Sequence, residues 1–283
     1  MGVEKTSRLN SLQRDLPEGL LAPTAWLRAK GYSDQLLNKY RSAGWVESPA
    51  RGVYRRPGPA LKWQHVVASL NRVMPQPPHV GGLPALELRG YAHFLKSRGP
   101  DEIHLYSKDK LPAWVAKLPL SERLVEHRDA LFDATKGVAA LLGSDSSDAV
   151  HSTDALRQTL TAEPWGPWDW DILYSVAERA VLELLDEVPQ RESVEHAAEI
   201  VSGLADLSSR RLIALLCACR SVKVKRLFLA LASRQKHQWV ARVVDAADRG
   251  DIDLGKGKRA LVKGGKLDPK YLITLPASLD VRG

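Results

Sequence analysis

The chain has 283 residues, 44% hydrophobic and 26% charged, which is the composition of a soluble globular protein long enough for two domains. No apolar run approaches the roughly 18 residues of a membrane span, and Met1-Gly2-Val3-Glu4-Lys5 leads into a polar helix without a signal core, so a cytoplasmic protein with no membrane partner is expected. The net charge of +8 is segregated: residues 1–80 carry twelve Lys/Arg against five Asp/Glu, residues 81–170 ten against thirteen, residues 171–219 four against nine, and residues 220–283 fifteen against six. Two basic ends around an acidic middle point to two separate contact surfaces rather than to a general, weak affinity for polyanions.

Ser7 to Leu16 reads as a leading helix, with Leu9, Leu12 and Leu16 on one side, broken by Pro17-Glu18-Gly19. The stretch from Ala22 to Arg56 then reads as a winged helix-turn-helix. Thr24 to Lys30 forms a short helix, Gly31-Tyr32 the turn, and Ser33 the N-cap of a second helix with Leu36, Leu37 and Tyr40 on its apolar face. Gln35, Asn38, Lys39 and Ser42 recur at i, i+3, i+4 and i+7 and share the opposite face. Amide, ammonium and hydroxyl groups are the side chains that read base edges. Gly44 ends the helix, and Trp45-Val46-Glu47 and Val53-Tyr54-Arg55-Arg56 read as two strands joined by Ser48-Pro49-Ala50-Arg51-Gly52. Arg51, Arg55 and Arg56 make that hairpin basic, so double-stranded DNA is the expected partner.

A helix follows from about Ala60 to Val73, and Met74-Pro75-Gln76-Pro77-Pro78 marks the domain boundary, giving domains 1–78 and 79–283 with a possible sub-boundary near 165. The second domain opens with the strand His79-Val80-Gly81-Gly82 and a short helix through Leu83 to Leu88. Ile103 to Tyr106 and Arg123 to His127 read as strands, Gly143 to Ser152 as a Ser/Asp-rich loop, and Trp165 to Trp170 as an aromatic turn leading into Ile172-Leu173-Tyr174. From Ser175 the period becomes helical, with helices before Pro189, at Val194 to Leu204, Ser208 to Cys219 and Val222 to Ser233. Arg259 to Val262 and Tyr271 to Leu275 return to strand. The fold class is α+β: an N-terminal winged helix-turn-helix and a larger mixed α/β C-terminal domain whose strands flank a helical block.

No catalytic, cofactor or metal site is expected. Cys217 and Cys219, at i and i+2, point about 200° apart on a helix and cannot share an ion there, so both read as buried free thiols. Asp169-x-Asp171 after Gly143-Ser144 invites a nucleotidyltransferase reading, but interleaving with Trp168 and Trp170 fits a solvated strand face over an aromatic core better. Gly255-Lys256-Gly257-Lys258-Arg259 lacks the frame of a phosphate-binding loop and reads as a nucleic-acid contact. Lys223, Lys225 and Arg226 open a helix, where cations oppose the macrodipole. Either a ligand or an internal acid (Asp245, Asp248 or the acidic run 178–199) accounts for them. The expectation is that Lys223, Lys225, Arg226, Lys256, Lys258 and Arg259 gather into one exposed basic patch.

The chain resembles, over nearly its whole length, the AbiEi-type antitoxins and transcriptional regulators of the AbiE abortive-infection toxin–antitoxin system. The resemblance rests on Gly44-Trp45, Gly52-Val53-Tyr54, Trp63, His79-Val80-Gly81-Gly82, Ala85-Leu86-Glu87-Leu88-x-Gly90, Glu178-Arg179-Ala180, the run Ser221 to Leu229, Leu254-Gly255-x-Gly257-Lys258-Arg259, and Lys270-Tyr271 with Ile273-Thr274. It implies a winged helix that represses the protein's own operon at inverted repeats in its promoter. It also implies an antitoxin domain that neutralises a nucleotidyltransferase-like cognate toxin without a stable complex. The alternatives are a DNA-binding regulator without antitoxin activity, and a nucleic-acid-processing enzyme using Glu87, Asp101 or Asp169.

Overall fold

The computed structural model describes residues 2–91, 101–133, 136, 158–167 and 169–280. The polar loop 143–152, with Ser144, and Trp168 lie outside the described residues. By density of contacts the chain divides into two compact units. The first comprises 1–79, 101–127 and 162–172, and the second 80–100, 128–161 and 173–283. The first crossing lies between His79 and Val80, just past the Pro-rich segment.

The first unit begins with α1 (Gly2–Asp15), β1 (Ala22–Pro23), α2 (Thr24–Ala29), α3 (Asp34–Ser42), β2 (Glu47–Ala50), β3 (Val53–Arg55) and α4 (Trp63–Val73). The three strands form an antiparallel sheet in the order β1-β3-β2, with Ala22 opposite Tyr54 and Glu47 opposite Arg55. This is a helix-turn-helix carrying a wing. Its core holds Leu12, Leu16, Leu27 and Leu37 from the faces the periodicity selected, joined by Leu20, Leu21 and Val53, each at most 1% exposed, while Leu9 and Leu36 of the selected faces are half-buried. Each fully buried side chain contributes about 1.5–3 kcal/mol by leaving water. α4 closes the unit with Trp63, Val66, Val67 and Leu70, and its Ser69 Oγ accepts the Leu21 N–H at 2.8 Å. The hairpin differs from expectation at both ends of its first strand. Its first strand starts at Glu47 and runs through Ala50, so the turn is only Arg51-Gly52.

A five-stranded sheet runs in the order β6-β5-β4-β8-β7, formed by β4 (His79–Val80), β5 (Glu102–Ser107), β6 (Arg123–Arg128), β7 (Leu160–Trp165) and β8 (Trp170–Ser175). Val80 and Tyr174 pair in parallel.

In the second unit α5 (Gly82–Leu88) packs on α6 (Ala177–Asp186). Three charged residues of α6 are buried, and each is satisfied. Glu183 accepts from Gly82 N at 3.1 Å, Ser175 Oγ at 2.7 Å and Arg179 Nε at 2.7 Å. Arg179 also reaches Asp129 at 2.6 Å, and Glu178 accepts from Ser208 N at 2.7 Å and Arg211 Nη1 at 3.0 Å. Helices α7 (Val194–Gly203), α8 (Ser209–Ala218) and α9 (Val222–Ala232) follow, each opened by a serine whose hydroxyl accepts a first-turn N–H. α9 is buried all round from Val224 to Ala232 and forms the centre of the unit.

Two expectations are corrected here. Gln238–Asp248 is a helix, α10, that the sequence reading does not include, although Trp239, Val240, Val243 and Ala246 recur at helical spacing and are buried. Residues 259–262 do not form a strand: Arg259 makes an isolated bridge to Ile273. The strand opposite β10 (Ile273–Leu275) is instead β9 (Lys266–Asp268).

Candidate nucleic-acid interface

Helix α3 is held as the sequence reading requires. The Ser33 hydroxyl accepts the Leu36 N–H at 3.3 Å, while Leu37 and Tyr40 are buried. Gln35, Asn38, Lys39 and Ser42 all stand exposed on the opposite face. Gly44, at φ +74°, turns the chain out of the helix and Trp45 follows with 48% of its surface exposed. One charged pair of this face escaped the sequence reading. Asp34, in the first turn of α3, is gripped by Arg28 of α2, whose Nε donates to Oδ1 at 2.8 Å and whose Nη2 donates to Oδ2. That pairing lowers the Asp34 pKa and raises the Arg28 pKa, so both remain charged.

The wing is fastened at its tip. Gly52 adopts φ +80°, a conformation strained for residues with a side chain, and its carbonyl accepts both the N–H of Thr24 at 2.9 Å and the Thr24 hydroxyl at 3.0 Å. Arg51 is exposed and Arg56 half-exposed. Arg55 is not available in the same way. It is 8% exposed, ion-paired to Glu47 on the neighbouring strand, and donates from Nη1 to the Pro59 carbonyl at 3.1 Å. Within β3 the alternation of Val53, Tyr54 and Arg55 turns Arg55 inward, where it braces the wing, and Arg56 follows the end of the strand.

The six C-terminal cations do not form one exposed patch. Lys223 Nζ donates to the carbonyls of Asp186 and Val188 at 2.6 and 2.7 Å and lies 3.6 Å from the Asp186 carboxylate. An ammonium that begins α9 against its own macrodipole is thus placed at the negative end of α6. Lys225 is buried. Arg226 is 2% exposed and donates to four carbonyls, Leu254 at 2.7 Å, Gly255 at 3.0 Å, Leu272 at 3.2 Å and Gly257. Burial, reinforced by the charge of Arg259, lowers its pKa below the usual arginine value. The glycine-rich segment wraps this guanidinium, and Lys256, Lys258 and Arg259 remain exposed on its outer side.

The remaining sequence-level motifs have plain structural places. Asp169 occupies the turn between β7 and β8 at φ +46°, while Asp171 is exposed and Trp170 buried at 4%. Cys217 and Cys219 are free thiols, Cys217 half-buried and donating to the Asp251 carbonyl, Cys219 buried with its pKa pushed up to about 11 by burial. Among the described residues no helix is long and apolar enough to cross a membrane.

Residues 5–97 match the family model described as the N-terminal domain of AbiEi antitoxin transcriptional regulators, and residues 101–276 match that of the AbiEi antitoxin transcriptional regulators of type IV toxin–antitoxin systems. No functionally curated protein matches the chain. The crystal structure of the RV2827C protein from Mycobacterium tuberculosis is similar at a TM-score of 0.52 and 19% identity, over 94% of this chain and 88% of that one, a likeness of fold.

Proposed function

Because the chain belongs to the AbiEi family of antitoxin transcriptional regulators, we propose that it represses its own toxin–antitoxin operon in the cytoplasm by laying α3 in the major groove at inverted repeats in the promoter. The observation that carries this reading is the exposed row Gln35, Asn38, Lys39 and Ser42 on a helix whose other face is buried. Amides, ammonium and hydroxyl donate and accept at base edges. Arg51 and Arg56 on the wing meet phosphates, and Ser33 fixes the helix start. Arg55 supports the wing from within.

The test is footprinting on the DNA upstream of the gene, followed by Asn38→Ala. The substitution is expected to cost about 1–3 kcal/mol at the protected site and to leave binding to random duplex unchanged. Equal losses on both would make Asn38 a backbone contact and refute its assignment.

The second half of the proposal is that the C-terminal region neutralises a nucleotidyltransferase-like toxin without a stable complex, with Lys256, Lys258 and Arg259 as a nucleic-acid contact. Charge reversal at Lys256 and Lys258 is the test, assayed separately for repression and for rescue of growth from the toxin encoded by the adjacent reading frame. Loss of rescue with repression intact assigns the segment to antitoxicity. If both tasks survive, these lysines only solvate the surface. A wild-type chain that represses but never rescues is a regulator without antitoxin activity.

A further inference from the structure

The recognition face carries an acid, and its position is unusual for a surface that meets a polyanion. Asp34 opens α3 one turn before Asn38, so the two side chains are stacked neighbours at i and i+4. Its side chain is 53% exposed although it is bridged through both oxygens by Arg28, which is itself 59% exposed. A solvent-exposed ion pair of this kind contributes little to stability, so folding alone gives little reason for it. A bare carboxylate entering the groove would be repelled by the phosphates. Gripped by Arg28 it is neutralised and held in one plane, and each carboxylate oxygen still has a lone pair to offer.

We infer that Asp34 is a base-reading residue, which accepts a hydrogen bond from the exocyclic amine of a cytosine while Arg28 orients and neutralises it. The chemistry selects the base. A carboxylate has only acceptors, and among the major-groove edges cytosine presents a donor without an acceptor beside it. Recognition helices contact bases from their N-terminal residues, and Asp34 is in the first turn. Arg28 is a positioning residue, reaching across the Gly31-Tyr32 turn from α2 rather than lying on α3 itself. This inference rests on the proposal that α3 reads DNA.

The experiment is selection from a pool of short duplexes randomised at every position, using the full chain and its Asp34→Ala, Asp34→Asn and Arg28→Ala variants, with melting of each variant measured alongside. The wild-type chain is expected to enrich a motif in which Asp34→Ala loses preference at one G·C pair only, with discrimination there falling roughly five- to 150-fold. Asp34→Asn keeps the shape but adds an amide donor, so the preference at that pair shifts towards adenine. Arg28→Ala weakens binding to every duplex and also reduces discrimination at that same G·C pair, without changing which base is preferred there. An Asp34→Ala motif identical to the wild type, or an equal change on all duplexes in either direction, overturns the inference and leaves the DNA-reading proposal standing. If the wild-type chain enriches no motif, both fall.

Discussion

Replacing Arg226 by methionine tests the reading that the C-terminal cations are divided between internal struts and a solvated outer segment. Methionine keeps an unbranched apolar stem and removes the charge and every donor. In the native protein the guanidinium, 2% exposed, donates to the carbonyls of Leu254, Gly255, Gly257 and Leu272. A hydrogen bond to a charged group is worth about 1.5–3 kcal/mol net, so four in isolation would give an upper bound of about 6–12 kcal/mol. They share one guanidinium, and the glycine segment has an exposed side through which water reaches freed carbonyls. Removing the guanidinium also relieves the desolvation that lowers its pKa. A net loss of about 3–5 kcal/mol is therefore expected, the range for breaking a buried charged network by removing one partner. The assay is urea unfolding of the full chain, reading the midpoint and slope, with Lys258→Ser as the control. The exposed Lys258 should change stability by no more than about 0.5 kcal/mol. A loss below about 1 kcal/mol for Arg226→Met, or an equal loss for Lys258→Ser, would refute the division.

On the wing, Arg51→Ala and Arg56→Ala should weaken binding to specific and random duplex alike and reduce the salt slope by about 0.9 for each phosphate that the variant no longer neutralises. Arg55→Ala should act instead through stability, since it releases Glu47 and the Pro59 carbonyl; a melting curve unchanged from wild type would place Arg55 outside the brace. His65 gives a pH dependence. Burial lowers its pKa, and its Nδ1 accepts the Lys62 N–H at 3.0 Å at the start of α4, so the folded state holds it neutral. The unfolded chain protonates first, at about pH 6.5. The stabilisation is therefore complete above that pH and is lost as pH falls from there towards the lowered folded value. His65→Asn, which retains an acceptor, should flatten the acid limb of stability against pH in thermal melts; an unaltered limb would assign it to other groups.

Much of the fold was legible in the chain because its determinants are local. Ser33, Ser193, Ser208 and Ser221 cap helices through their own hydroxyls, and the period of the leucines in the first unit selects the buried face of each helix. The same signal is present for α10 in Trp239, Val240, Val243 and Ala246, but it lies between two basic stretches whose charge dominates the reading of that region. By contrast β9, with Leu267 as its one apolar residue, has no strand signature of its own. Its pairing with Ile273–Leu275 makes it a strand.

For the candidate interface, the sequence determined which residues share the outer face of α3, since helical geometry alone puts Gln35, Asn38, Lys39 and Ser42 together. Tertiary structure decided the fate of the cations. Counting Asp and Glu offered Asp245, Asp248 or the acidic run, where Asp186 lies, as partners for the cations, but it could not single out Asp186 for Lys223 or show that the shorter contacts are the carbonyls of Asp186 and Val188. Nor could it show that Arg226 needs no carboxylate, or that Arg28 reaches Asp34 across a turn. The reason is physical. A carboxylate is a residue type and appears in composition, whereas every residue carries a carbonyl, and only the folded chain determines which carbonyls converge on one guanidinium.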